Sequence, residues 1–169
     1  MEKVQAELKR NRKDTLNNTN ANRELKEGNI SEQKLMESEE KFSKAFHSSP
    51  TLMAITRIKD GYFIDVNSTY CQVLGYSREE LIGNTSLELD LWVNPEQRSE
   101  FKKKLEEFKK INAIDVEVRT KSGEILMMLF SGDIIYLNNE PHLITTAIDI
   151  TDRIKAEQKL TESESKFRR

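Results

Sequence analysis

The fold is decided by residues 62–83, Tyr-Phe-Ile-Asp-Val-Asn-Ser-Thr-Tyr-Cys-Gln-Val-Leu-Gly-Tyr-Ser-Arg-Glu-Glu-Leu-Ile-Gly. The first five are rich in aromatic and β-branched side chains, which predicts a short strand. Asn67 follows where a side-chain amide can cap a helix. Gly75 ends that helix, and Ser77 with Glu80 forms the capping box of a second short helix, which a further glycine ends. A strand and two capped helices in 22 residues predict a tight wrap around a core.

The remaining pattern predicts one long helix and four further strands. Asn94-Pro95 is a helix start, with asparagine as the cap and proline at the first helical position, and the helix runs to about Lys110. This order of elements predicts an α+β fold, a five-stranded antiparallel sheet with helices on one face and an amphipathic helix at each end. The further strands are expected at residues 51–57, 114–119, 124–137 and 142–150.

Four short motifs, in this order, resemble the PAS domain of sensory proteins, of the kind found in bacterial and archaeal sensor histidine kinases. The motifs are Asp65-Val66-Asn67, residues 74–83, Lys121-Ser122-Gly123-Glu124 and Asp149-Ile150-Thr151-Asp152-Arg153. The resemblance extends from about residue 43 to residue 153. It implies the PAS (PAS/PAC, S-box) fold and a sensory role, and it leaves the signal open.

Composition narrows the class of protein. The chain has 169 residues, 33% of them charged, and a net charge of −2, which offers no net attraction to nucleic acid or to an anionic membrane. Its longest apolar run, residues 125–130, is far shorter than the roughly 20 residues that span a bilayer. A single cysteine excludes an internal disulfide and fits a reducing compartment. We therefore expect a cytoplasmic piece without direct membrane contact, even if the longer protein is membrane-anchored.

An internal repeat predicts that the chain is part of a longer protein. Residues 32–42 recur as residues 157–167, and nine of the eleven positions are identical. We interpret the second copy as the approach to a second, truncated PAS-like unit. The predicted organisation is a charged linker or helix at residues 1–28, an amphipathic helix at 29–47, a PAS domain at 48–151 and an exit (signalling) helix at 152–169.

The two flanking helices carry narrow apolar stripes on highly charged surfaces. Such a stripe needs a partner, which is either the PAS core or the same helix of a second subunit. The sequence predicts a homodimer whose coiled-coil seam consists of Leu35, Phe42, Phe46, Ile154, Leu160 and Phe167.

Catalytic motifs are missing from the sequence. It has no glycine-rich phosphate loop, no paired cysteines and no nucleophile elbow, so we expect this piece not to be an enzyme. The two histidines, His47 and His142, have no nearby ligand partners in sequence, and no metal site is expected.

The resemblance also bears on cofactors. Haem-binding PAS proteins usually carry an axial histidine on the long helix, and residues 94–110 contain none. Flavin photoreceptors of the family carry a reactive cysteine shortly after the glycine that matches Gly83, whereas Asn84-Thr85-Ser86-Leu87 stands there and Cys71 lies a helix earlier. Both haem and a cysteine-linked flavin are therefore disfavoured, and the cofactor stays unknown.

The apolar side chains between sheet and helices predict either a filled core or a pocket for a small organic ligand. Both alternatives stay open at this point. The candidate lining residues are Met53, Ile55, Tyr70, Leu74, Leu87, Leu91, Trp92, Phe101, Leu105, Met127, Leu129, Ile144 and Thr146.

The junction between the last strand and the exit helix is the candidate signal relay, formed by Asp149, Thr151, Asp152 and Arg153. Thr151 or Asp152 can cap the helix, and Asp149 is four residues before Arg153. In proteins similar to this one, the matching Asp and Thr couple the sheet to the output helix.

The sequence thus predicts a PAS sensory module of a multidomain signalling protein, which by the habit of the family is a two-component sensor histidine kinase working through a phosphorelay. It would detect a small molecule or relay a signal through dimeric helices, with downstream PAS and output domains. The alternatives are a regulatory PAS domain of a diguanylate cyclase or phosphodiesterase, and a ligand-free dimerisation scaffold.

Overall fold

The computed structural model describes residues 2–167. The chain divides into two compact units, Met1–Ala45 and Phe46–Arg169. In chain order the elements are α1 (Glu2–His47), β1 (Leu52–Arg57), β2 (Phe63–Val66), α2 (Ser68–Leu74), α3 (Arg78–Leu81), α4 (Pro95–Phe108), β3 (Lys110–Arg119), β4 (Ile125–Leu137), β5 (Glu140–Asp149) and α5 (Thr151–Phe167).

α1 is continuous over 46 residues, and all of it except Phe46 and His47 belongs to the first unit. The predicted boundary between a linker ending at residue 28 and a new helix at residue 29 is therefore wrong. An isolated glycine costs a helix only about 1 kcal/mol relative to alanine, and each asparagine costs less. Ion pairs one turn apart offset part of this cost, such as Arg23–Glu27 at 3.0 Å and Glu40–Lys44 at 2.6 Å.

The second unit is built on a five-stranded antiparallel sheet in the order β2-β1-β5-β4-β3. The first and last strands are neighbours at its centre, with Leu52 opposite Ala147. Asn138 and Asn139 have φ angles of 50° and 65° and form the tight turn between β4 and β5. The predicted α+β fold is confirmed.

The helical wrap after β2 forms as predicted. The Asn67 side chain caps α2 by accepting a hydrogen bond from the Tyr70 backbone N–H at 2.9 Å. Gly75 ends α2 in the left-handed conformation, at φ 77°, which glycine adopts without a steric cost. Both halves of the Ser77–Glu80 capping box are present at α3.

Glu80 has a second role besides its capping contact. Its Oε1 accepts a hydrogen bond from Lys121 Nζ at 2.5 Å, so it ties α3 to the β3–β4 turn. The Lys121 ammonium and the Ser77 backbone N–H lower the pKa of the Glu80 carboxyl.

One face of the sheet packs against the helices, and this is where the core lies. Val116 stands opposite Met128 in the β3–β4 pair, and both are buried, at 1% and 0% exposure. Burying a side chain of this kind stabilises the fold by about 1.5–3 kcal/mol. The same cluster contains Leu74 and Leu81, which anchor α2 and α3.

α4 is held against the edge strand β3 by both apolar and polar contacts. Phe101 is buried with Ile111 and Leu143 in a second, smaller cluster. Gln97 Oε1 accepts a hydrogen bond from the Glu117 backbone N–H at 3.0 Å. These contacts fix the side of α4 that faces the sheet.

Candidate functional site

A cavity of about 510 Å³ lies among the sheet, the loop before α4 and α4 itself. Pockets that hold small organic ligands have volumes of roughly 300–1,000 Å³. Every residue that borders the cavity belongs to the second unit. The cavity is therefore the candidate functional site.

Aromatic side chains from several elements form much of the cavity wall. Trp92 and Phe101 meet edge to face with ring centroids 5.5 Å apart, and Phe101 meets Phe130 in the same way at 6.3 Å. Phe63 and Tyr70 form a further edge-to-face pair at 5.7 Å. Edge-to-face contacts of this kind are the favourable arrangement of aromatic rings, and they fix the orientation of the rings around the cavity.

The walls also carry a few polar groups. Trp92 Nε1 donates a hydrogen bond to Ser86 Oγ at 2.9 Å, which uses the indole donor. Thr145, on β5, is 8% exposed, and its hydroxyl oxygen is 3.4 Å from the Ala54 carbonyl oxygen.

Tyr70 contributes a polar group that the protein leaves available. The residue is only 6% exposed, and burial raises the pKa of its hydroxyl well above the usual range. Within residues 2–167 that hydroxyl has no hydrogen-bond partner. Every fully buried side-chain polar atom in this part of the chain has a partner, so the Tyr70 hydroxyl is not fully buried. The hydroxyl therefore borders the cavity, as a neutral donor.

The rim of the cavity is cationic. Its charged residues are Arg57, Lys59, Arg98, Lys102 and Lys109, with Asp60 and Glu106 as the acids. Arg57 pairs with Asp60, with Nη2 2.7 Å from Oδ2, and this contact lowers the pKa of the Asp60 carboxyl. Across the described part of the chain, the other four cations form no salt bridge with an acidic side chain. After the Arg57–Asp60 pair is set aside, four cationic residues and one acidic residue, Glu106, border the cavity, so its charged side chains are mainly positive.

The junction between sheet and α5 is a hydrogen-bonded unit. Thr151 Oγ1 accepts from the Met127 backbone N–H of β4 at 2.9 Å and donates to Asp149 Oδ1 at 2.6 Å. The Ile150 backbone N–H donates to the Met127 carbonyl at 2.9 Å. The first residue of α5 is thus bonded to β4, the strand that also carries Phe130 of the cavity wall.

A family model described as PAS domain matches residues 50–152. The chain belongs to the PAS domain family. PAS domains are sensory modules. A comparison with curated proteins found no match.

Solved PAS structures have similar folds. The PAS domain of an HTR-like protein from Haloarcula marismortui gives a TM-score of 0.60 at 19% identity, with 72% of this chain and 98% of that chain covered. A sensory box histidine kinase/response regulator from Burkholderia thailandensis gives 0.56 at 22% identity, with 75% and 97% covered. A light-oxygen-voltage domain, from work with a flavin analogue, gives 0.56 at 17% identity, with 72% and 93% covered. At these identities the similarity shows the fold alone.

Five of the predicted lining residues of this PAS domain border the cavity. Two others do not, because Leu74 is buried in the core at 1% exposure and Leu87 is 53% exposed to solvent. The five that do are Tyr70, Leu91, Trp92, Phe101 and Leu105.

The six predicted lining residues on strands point away from the cavity. Ile55 stands opposite Ile144 in the β1–β5 pair, one residue out of phase with the lining pair Thr56 and Leu143. The choice of these six was wrong because β1, β4 and β5 carry apolar residues on both faces, so alternation does not identify the inner one. The six are Met53, Ile55, Met127, Leu129, Ile144 and Thr146.

The sequence prediction also missed the cationic rim. Arg98 and Lys102 border the cavity beside Phe101 and Leu105, although neither is among the lining residues predicted from the sequence. The signal that could have revealed them is their helical spacing, since Arg98, Lys102, Leu105 and Lys109 follow at intervals of three or four residues.

The relay residues are only partly brought together. Asp149 and Thr151 are bonded to each other, whereas Arg153 Nε donates to Glu157 Oε1 at 2.9 Å rather than reaching Asp149. Asp152 is exposed in the first turn of α5. Thr151 or Asp152 was the predicted cap, whereas the side-chain oxygen that accepts from a backbone N–H at the start of α5 is Asp149 Oδ1, 2.9 Å from the Thr151 nitrogen, and the Thr151 hydroxyl oxygen accepts from the strand instead.

The seam residues also divide. Phe46 is buried at 2% exposure beside the ring of His47, so it is not available on a helix surface. Leu35 and Leu160 are exposed at 60% and 63%, and Phe167 at 90%. Phe42 is half-exposed, and Ile154 is of intermediate burial.

Cys71 and His142 are side chains with reactive or metal-binding groups, and both are at least partly buried. Burial raises the pKa of the Cys71 thiol, which makes the reactive thiolate scarcer at neutral pH. His142 is buried at 6%, with its Nδ1 2.9 Å from the Glu140 carbonyl oxygen. Over residues 2–167 no cluster of three potential metal ligands is present.

No described helix combines the length and apolar character needed to cross a membrane.

Proposed function

We propose that this PAS domain is the small-molecule sensor of a multidomain signalling protein, and that it passes ligand binding to α5 through β4. The observation that carries the proposal is the cavity of about 510 Å³ between sheet and α4. Apolar walls with a few polar groups are typical of ligand pockets rather than of a filled core.

The proposed route of the signal follows the backbone of β4. Phe130 and Ile134 border the cavity, and the same strand bonds to Thr151 through Met127. A ligand that shifts β4 would alter the hydrogen bonds that fix the first turn of α5. The helix would then change its direction or its stability, which a downstream domain could read.

We favour a sensor histidine kinase as the longer protein to which this chain belongs. A sensory box histidine kinase/response regulator is among the proteins of similar fold, and the recurrence of residues 32–42 at residues 157–167 fits a longer protein with more than one PAS-like unit. A diguanylate cyclase or phosphodiesterase is the alternative, and the coding sequence downstream of residue 169 distinguishes the two.

The second candidate function is a dimerisation scaffold without a ligand, which the exposed Leu35, Leu160 and Phe167 favour. Thermal unfolding with a panel of metabolites separates the two functions. A sensor gains stability as RT ln(1 + [L]/Kd), about 2.7 kcal/mol at a hundredfold excess over Kd. A visible absorbance spectrum of freshly purified protein tests for a retained haem or flavin. If no compound stabilises the protein and it carries no bound molecule, the sensor proposal fails.

A further inference from the structure

The cavity combines an aromatic interior with a positively charged mouth, and this combination restricts its ligands. The whole chain has a net charge of −2, whereas five cations and two acids border this opening. A local excess of positive charge around an apolar cavity does not contribute to packing of the hydrophobic core. It lowers the cost of bringing an anion to the mouth.

Arg98 is the best-placed anion ligand. It lies in the first turns of α4, is half-buried and lines the cavity. Within residues 2–167 its guanidinium forms no salt bridge, and removing part of a charged group from water without an ionic partner costs free energy. Its planar fork of donors matches the two oxygens of a carboxylate.

Lys102 lies one helical turn beyond Arg98 and also borders the cavity. Lys103 and Lys104 do not border it, and Lys104 pairs with Glu100 at 2.7 Å. The cations of α4 are thus divided between a face that meets the cavity and one that does not. An anion at the mouth would contact Arg98 and Lys102 together.

The interior favours an aromatic body for this anion. Trp92, Phe101 and Phe130 present edges and faces in succession, and the unpartnered Tyr70 hydroxyl supplies one donor. We propose that the cavity binds a small aromatic carboxylate, with the carboxylate held by Arg98 and Lys102 and the ring enclosed by Trp92, Phe101 and Tyr70. This inference rests on the proposed sensor function and names its ligand class.

The test measures binding of paired acids and amides to the full 169-residue chain. Trp92 is the only tryptophan, so its fluorescence reports occupancy of the cavity. The probes are phenylacetate, 4-hydroxyphenylacetate and 4-phenylbutyrate, each with its neutral amide, and octanoate as the aliphatic acid. We expect at least one aromatic acid to bind at least about tenfold more tightly than both its amide and octanoate.

Variants assign the contacts. Arg98→Gln is expected to weaken binding of the acid about 10- to 100-fold and to leave binding of the amide unchanged. Tyr70→Phe is expected to weaken binding of 4-hydroxyphenylacetate and of its amide alike by about three- to tenfold, since it removes a hydrogen bond to the ring hydroxyl, and to leave binding of phenylacetate unchanged. Lys103→Gln makes the same change of charge on the same helix away from the cavity, and should retain the affinity of the parent chain.

Each failure has a distinct meaning. If every aromatic acid binds no more tightly than its amide, or if octanoate binds as tightly as the best aromatic acid, the assignment to aromatic carboxylates is overturned while the sensor function stands. Equal losses in Arg98→Gln and Lys103→Gln would overturn the role of Arg98. If neither these probes nor the metabolite panel binds, both the ligand class and the sensor function are wrong.

Discussion

Asn67 is the residue on which the domain depends most, because it joins three parts of the chain. It is fully buried at 0% exposure. Its Oδ1 accepts from the backbone N–H groups of Met53 and Tyr70, at 3.0 and 2.9 Å. Its Nδ2 donates to the carbonyls of Phe46 and Thr51, at 3.1 and 2.8 Å. All four hydrogen-bonding sites of the amide are used.

Replacing Asn67 by alanine is therefore expected to cost about 3–5 kcal/mol of unfolding free energy, because it removes a helix cap and leaves buried backbone groups without partners. Asn67→Asp keeps the acceptors but loses both donors and buries a charge, so it should not restore stability. Urea unfolding measures both effects.

Asn94→Ala is the control for Asn67→Ala, because Asn94 caps α4 from a more exposed position by accepting from the Glu96 backbone N–H at 2.8 Å. Its loss should cost about 1 kcal/mol. A similar small loss for Asn67→Ala would contradict the linking role.

Sequence reasoning at the level of single residues found the caps and missed their tertiary partners. Asn67, Ser77 and Gly75 act locally, so their spacing reveals them. The bonds of Asn67 to Phe46 and Met53 cross 21 and 14 residues of sequence, and no local pattern encodes them. The same limit applies to Arg98, whose setting depends on which side of α4 meets the sheet.

Among the elements, the joint between β4 and α5 is the one that the proposed relay requires. Thr151 bonds to both Met127 and Asp149, so the start of the helix and the strand are expected to open together. Helices that depend on one terminal contact fray from that end when it is lost.

Thr151→Val keeps the shape of the side chain and removes its hydrogen bonds. We expect faster amide hydrogen exchange at Met127 and along the first turn of α5, with a local loss of about 1–3 kcal/mol and little change in the global unfolding midpoint. Thr161→Val is the matched control, since that hydroxyl donates only to the Glu157 carbonyl on the same helix, at 3.0 Å. Unchanged exchange in Thr151→Val would exclude this joint as the relay.

Element boundaries followed the sequence where capping was strong and departed from it where capping was weak. α4 begins at Pro95 directly after Asn94, as expected. α1 continues through Gly28 because no proline interrupts it and the neighbouring charges pair along the helix. The inner strand phase was unpredictable because β5, at the centre of the sheet, has apolar residues on both faces.

At the scale of the whole molecule, the homodimer stays a prediction, and the exposed leucines and phenylalanines of α1 and α5 are the side chains on which it can be tested. Leu35 and Phe42, and likewise Leu160 and Phe167, are seven residues apart, the spacing of a coiled-coil seam. In the predicted seam, a second copy of the chain would cover these four side chains.

Leu160→Glu is expected to shift the protein from dimer to monomer in light scattering coupled to size exclusion, since a charge in the seam opposes its burial. Gln158→Glu, an exposed change on the same helix, should leave the dimer intact. A monomeric unmodified chain, or a dimer that Leu160→Glu does not weaken, would contradict the seam.

The pairing of Leu52 with Ala147 has a further consequence for how such a domain sits in a longer polypeptide. Neighbouring strands are only about 4.8 Å apart, so the start of the first strand and the end of the last strand of the PAS domain lie close together. Inserting or duplicating a PAS domain of this kind therefore adds more than a hundred residues to a polypeptide. The two points at which the flanking segments attach to the domain still lie close together.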